Sequence, residues 1–227
     1  MPPKQKDDGH PPKPPKSGIK AGEPLVDEIA RTRLIKLIAE GRGEARAEAI
    51  QAARESGDIR MLDAILEAML GENDELEFMD ALAEIAGANK GHPALDDAAR
   101  KIASHFDGGF GLPAFYAMSI LADSDPGRYS HYTGIVLEAL ENNLRTMTNL
   151  PETSEFDSFE VKVDKLFEGM TGSDALYGIV VCLGSLRSPE ALPHLRRLAF
   201  AEAGEEPDEL TEAIEDAIRK IESHNKH

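Results

Sequence analysis

LDAILEAML (62–70), LPAFYAMSI (112–120) and LPHLRRLAF (192–200) are three variants of one phrase. Each opens on a leucine followed by Asp63, Pro113 or Pro193, and three positions on from the leucine stand Ile65, Phe115 and Leu195. Proline fits there because an early helical N–H has no intrahelical partner. A polar turn and a second apolar helix follow each phrase, so the copies extend over about 58–87, 111–143 and 188–221. In the second helices Phe78, Val136 and Ile214 coincide, as do Leu82, Leu140 and Ile218. Ile85 matches Ile221, while the middle copy has Asn143. Repetition in register implies helix pairs that bury their apolar faces against neighbouring pairs. The expected architecture is all-α, an α-solenoid of stacked antiparallel helix pairs.

Outward from these copies, the rest of the chain reads the same way. Leu25, Val26, Ile29, Leu34, Leu37 and Ile38 recur at helical spacing until Gly41 and Gly43 interrupt. An Ala-rich helix follows at 44–55, with Ile50 and Ala53 facing inward, and stops at Ser56-Gly57. Further helices are expected at 94–106, 157–170 and 174–186, about eleven in all. Phe156, Phe159, Val163, Leu166, Phe167 and Met170 give the second of these a bulky apolar face. The third, through Ile179-Val180-Val181-Cys182-Leu183, is apolar nearly all round and is expected at the centre. Short links rich in Gly, Pro and Asp join antiparallel neighbours.

Composition agrees with a helical body. Aromatic residues make up 5% and Trp is absent, which is poor stock for strands. A single cysteine, Cys182, allows no internal disulfide and suits a reducing compartment. No apolar run reaches the roughly 18 residues a membrane span needs. The N-terminal stretch lacks the apolar core of a secretory signal, so a cytoplasmic location is expected.

Charge divides the chain in two. Lys4, Lys6, Lys13, Lys16 and Lys20 outnumber Asp7 and Asp8, so residues 1–20 are basic although the whole chain carries −17. Residues 1–22 are rich in Pro and Lys, with almost no large apolar side chain, and are expected to be disordered with polyproline II character. Overlapping P-x-x-P spacing there suits a docking peptide or a basic arm. Residues 23–227 then form the folded domain, strongly acidic. Such a body repels phosphate backbones, which disfavours nucleic acid and favours a protein partner with a basic surface.

Leu186-Arg187-Ser188-Pro189-Glu190-Ala191-Leu192-Pro193-His194-Leu195 resembles the opening of a HEAT-like repeat of the phycobilisome-lyase type, with Asp216-Ala217-Ile218 near its end. Ser56-Gly57-Asp58 through Ala81-Leu82, and residues 111–140, resemble it less closely. The resemblance implies a HEAT-like fold, in which binding scaffolds predominate and a few enzymes occur. It implies no mechanism.

One acid recurs on the second helices: Asp80, Glu138 and Asp216. In repeats of the resembled type the second helix lines the concave surface. These three, with Glu84 and Glu141, are therefore the candidate partner-binding residues. The leading expectation is a non-catalytic scaffold, or an inhibitor or immunity-type protein shielding a basic enzyme. The rival, which rests on the resemblance, is a lyase-like chromophore-handling enzyme. A DNA-base glycosylase is disfavoured by the acidic body and the lack of Trp.

Other constellations read as structural. Acidic turns at Glu72, Asp74, Glu75 and Glu77, and at Glu202, Glu205, Glu206, Asp208 and Glu209, lack calcium-loop spacing and suit helix starts. No His-Glu pair or H-E-x-x-H occurs, so no metal is expected, and His105 and His194 read as packed or edge histidines. Cys182 lies in an apolar run without a nearby base, and no cofactor motif is present. Arg128-Tyr129-Ser130-His131-Tyr132 is the one polar-aromatic loop cluster, a secondary ligand-contact candidate.

Overall fold

The computed structural model describes residues 28–71, 76–106, 111–148, 172–201 and 209–226. The tail at 1–22, the helix expected at 157–170 and most of the two acidic turns lie outside them. Ten α-helices, and no strand, occur among the described residues. They are α1 (Glu28–Glu40), α2 (Glu44–Ser56), α3 (Leu62–Gly71), α4 (Leu76–Ala88) and α5 (Pro93–Ala103). The chain continues through α6 (Gly111–Ser124), α7 (Thr133–Thr148), α8 (Gly172–Leu186), α9 (Leu192–Ala201) and α10 (Glu209–His224).

Two packing patterns order these helices. Each even-numbered helix packs on its odd-numbered predecessor: α1 on α2, α3 on α4, and so on to α9 on α10. The even-numbered helices also pack on one another in sequence, α2 on α4, α4 on α6, α6 on α8 and α8 on α10. Buried apolar side chains from Ile38 to Ile221 belong to one core cluster. Of the apolar positions in α1, Ile38 is fully buried whereas Ile29 is 77% exposed, since α1 meets the core through its C-terminal half.

The turns explain how the layers alternate. Every passage from an even to an odd helix contains a residue in the left-handed backbone region: Gly57, Gly91, Gly127 and Arg187. Glycine enters that region without the Cβ penalty that other residues meet. Arg187 accepts the strain at the corresponding point after α8, with φ of 55°. Three of these turns continue into a 3₁₀ turn, at Ile59–Met61, Ser130–Tyr132 and Pro189–Ala191. Asp58 caps the first by accepting from the Arg60 N–H at 3.0 Å. At the fourth, His92 Nδ1 accepts from the Ala94 N–H, so this histidine caps α5 ahead of Pro93.

This geometry corrects the register expected for the middle copy. The 3₁₀ turn that precedes Leu62 and Leu192 precedes Thr133, not Leu112. Leu112 instead lies in the first turn of α6, which holds the place in the even row that α4 and α10 hold. An apolar helix led by Leu-Pro occurs in both rows, so apolar spacing does not distinguish one row from the other. The phase is carried by the turns.

Asp58 is nearly buried. Burial opposes its charge, but the Arg60 guanidinium and N–H, with Arg31 further off, outweigh it and hold the carboxyl below the ordinary range. A carboxyl depressed in the folded state stabilises the fold above its unfolded pKa, about 4, and loses that contribution as pH falls through its folded value. Asp58→Ala should therefore cost about 1–2 kcal/mol at neutral pH, the usual range for a lost cap. Urea melts of both proteins at pH 7 and pH 3 would show the deficit shrinking in acid. An undiminished deficit at pH 3 would contradict the assignment.

Candidate functional site

Each central even helix is covered on one side by its odd partner and on two flanks by even neighbours. Among the described residues, what stays partly exposed on these helices lies along the remaining side. On α4 the exposed stripe carries Glu77, Asp80 and Glu84, and on α2 it carries Glu48, Gln51 and Glu55. On α6 the partly exposed positions Leu112, Tyr116 and Ile120 recur every four residues and lead to exposed Asp123. On α8 they are Tyr177 and Val181. On α10, Glu209 and Glu212 are exposed while Asp216 and Lys220 are half-buried.

Two clefts open along this side. One, of about 500 Å³, lies over α2 and the start of α4 and is lined by Glu48, Gln51, Arg54, Glu55 and Glu77. The other, of about 730 Å³, runs over the seam where α8 packs on α10 and is lined by Tyr177, Val181, Glu212, Asp216, Arg219 and Lys220. Glu77 and Glu209 both lie in first helical turns, where the macrodipole favours them. They also border the clefts, so capping and surface charge coincide.

The predicted acids are distributed unevenly. Asp80 pairs with Arg54 across α2 and α4 at 3.0 Å, and Glu84 follows it one turn on, exposed. Asp216 lies in the second cleft, 3.2 Å from Arg219 and 3.5 Å from Lys220. Lys220 also approaches Asp123 at 3.8 Å, and the buried Ser185 hydroxyl donates to Asp123 at 3.0 Å. Glu138 and Glu141 are exposed on α7, the odd-row partner of α8, and the structure does not bring them to the stripe of Asp80, Glu84 and Asp216. The shift follows from the register change above, because the middle copy spans α6 and α7 in the opposite layer order.

Tyr116, Ile120, Tyr177 and Val181 were not among the sequence candidates. Residues 174–186 read as apolar nearly all round, and in α8 only a narrow stripe escapes burial. No periodicity marks which apolar residues lie on it; the layer order does.

Most of the remaining candidates make contacts within the fold. Cys182 is fully buried, and burial, with Asp123 nearby, pushes its thiol well above the ordinary range. Arg128 donates to both oxygens of Asp96, at 2.9 and 2.7 Å, tying α5 to the turn before α7. That hydrogen bonding holds the Asp96 carboxyl below its usual value. Tyr129 is buried beside this pair, and burial pushes its phenol up to about 12. His105 Nδ1 lies 2.8 Å from the Lys101 carbonyl, an edge contact within its own turn.

Among the described residues, no group of three or more His, Cys, Asp or Glu is placed to hold a metal ion. No described helix is long and apolar enough to cross a membrane. No family model, characterised protein or solved structure matches this chain.

Proposed function

We propose that this chain is a non-catalytic, cytoplasmic α-solenoid scaffold that binds a protein with a basic surface. The binding surface is the open side of the even-numbered row. The solenoid reading draws support from the alternating packing and from the left-handed turns at 57, 91 and 127. Their spacing of about 35 residues falls in the range of helix-pair repeats. The following interval is longer, and it contains the 149–171 stretch.

The observation that carries the binding reading is the pair of acid-lined clefts at the two ends of that side, in a chain of net charge −17. Among the sequence candidates Asp80, Glu84 and Asp216 share this surface, joined by Glu48, Glu55, Glu77 and Glu212. An inhibitor or immunity-type protein shielding a basic enzyme is the sharper form of the same reading. Rim charges of this kind steer encounter more than they hold the complex, and they are screened beyond about 10 Å at 0.1 M salt.

A pull-down from the native cell identifies the partner, and stopped-flow mixing with it supplies the test. Association is expected to slow by roughly tenfold or more between 20 and 200 mM salt. Glu48→Gln, Glu77→Gln, Glu84→Gln and Glu212→Gln combined should remove most of that salt dependence. Glu138→Gln with Glu141→Gln should leave it unchanged. Salt-insensitive association would sink the electrostatic reading.

A further inference from the structure

The open side is not uniformly acidic. From the middle of that side α6 and α8 contribute Leu112, Tyr116, Ile120, Tyr177 and Val181, an uncharged strip that ends at Asp123 and whose α8 residues form one wall of the second cleft. Two of the four tyrosines of the chain lie on it, both half-buried. Tyrosine offers a large apolar body with a polar tip, which is why it is enriched where proteins meet. The acids lie on either side of the strip, on α2 and α4 in one direction and on α10 in the other.

We infer that this strip seats the apolar residues of a single partner segment, whose lysine or arginine residues on both flanks meet the acids of α2/α4 and α10. The inference rests on the scaffold reading above and adds the chemical pattern of the partner: basic, apolar, basic. Complementary charge at both ends specifies the occupant. A purely apolar segment would leave the flanking carboxylates facing apolar surface, and a purely basic one would leave the strip uncovered. From α2 to α10 the row spans about 35 Å at 8–10 Å per helix spacing. An extended segment of about ten residues crosses that distance, and a helix needs about twice as many.

The test uses the full chain and two fluorescent peptides of equal charge. One is an amphipathic peptide with leucines in its central third and lysines at both ends, and the other is oligolysine. Anisotropy should show the amphipathic peptide binding at least about tenfold tighter, a difference in affinity that direct titration resolves readily. Val181→Asp and, separately, Tyr116→Lys should each abolish that difference while thermal melting confirms a folded chain. Both positions are half-buried on the open strip, so either variant suffices if the other fails to fold.

Equal affinity for the two peptides overturns this inference and leaves the electrostatic reading standing. Failure of both peptides to bind at low salt overturns both. If removal of residues 1–22 tightens peptide binding tenfold, the occupant is the basic tail of the chain itself and the inference fails. A dimer in sedimentation that Val181→Asp dissolves makes the occupant a second copy, with the same consequence.

Discussion

Phe115→Ala is expected to destabilise the protein by about 3–5 kcal/mol, the range for removing a buried aromatic ring and leaving a cavity. Phe115 is 2% exposed in the N-terminal half of α6, the helix on which α4, α5 and α8 all pack. Its ring stacks on Phe106 with centroids 4.7 Å apart and planes 9° apart. Removing it loosens the turn after α5 as well as α6, so the deficit should appear in one cooperative transition. A fall in Tm of roughly 10 °C follows for a domain of this size. Ile29→Ala supplies the contrast: Ile29 is equally apolar in the sequence, but its exposure predicts a change within about 0.5 kcal/mol. Chemical denaturation of the three proteins, with m-values compared, decides the matter. Equal deficits for Phe115→Ala and Ile29→Ala would refute the assignment of α6 to the centre.

The second large effect reverses the sign that helix propensity predicts. Gly184 lies near the end of α8, and replacing a helical glycine by alanine ordinarily stabilises by about 0.5–1 kcal/mol. Here an added Cβ would sit 2.8 Å from both Cα and Cβ of Ala217 on α10. The obstacle is backbone, so the helices must separate. Overpacking of that kind costs about 1–3 kcal/mol. Gly184→Ala should therefore destabilise by about 1–2 kcal/mol net, and Gly184→Leu should reach the upper end of the overpacking range. Gly87, in α4, has nothing within 4 Å of its added Cβ, and Gly87→Ala should show the ordinary gain. Thermal melts of the three variants provide the comparison. Stabilisation by Gly184→Ala would mean that α8 and α10 do not approach closely at this point. The second cleft opens between the same two helices, so its shape depends on this contact.

Much of the fold is legible along the chain. Helices over 44–56 and 172–186 fall within two residues of their expected ends, because apolar spacing and the flanking glycines or Leu-Arg mark them. The central position of α8 is legible too, since a helix apolar on all sides has nowhere else to go. The phase of the layers is less accessible. Leu112 and Leu192 head similar phrases, yet one lies in the first turn of an even-row helix and the other in that of an odd-row helix. What separates them is the left-handed residue and 3₁₀ turn before Leu192, and at that turn an arginine stands where three other turns have glycine.

The candidate site shows the same division. Amino-acid order alone establishes a helical chain, an excess of acids and a cysteine within an apolar run, because periodicity and charge are properties of neighbours along the chain. It does not establish which carboxylates share a surface. Asp80 and Asp216 lie on even-row helices, while Glu138, matched to them by spacing, is carried on α7 in the other layer. Packing chose between them: a side chain's final direction depends on which of its helix's faces the neighbouring helices cover, and those neighbours are remote in sequence.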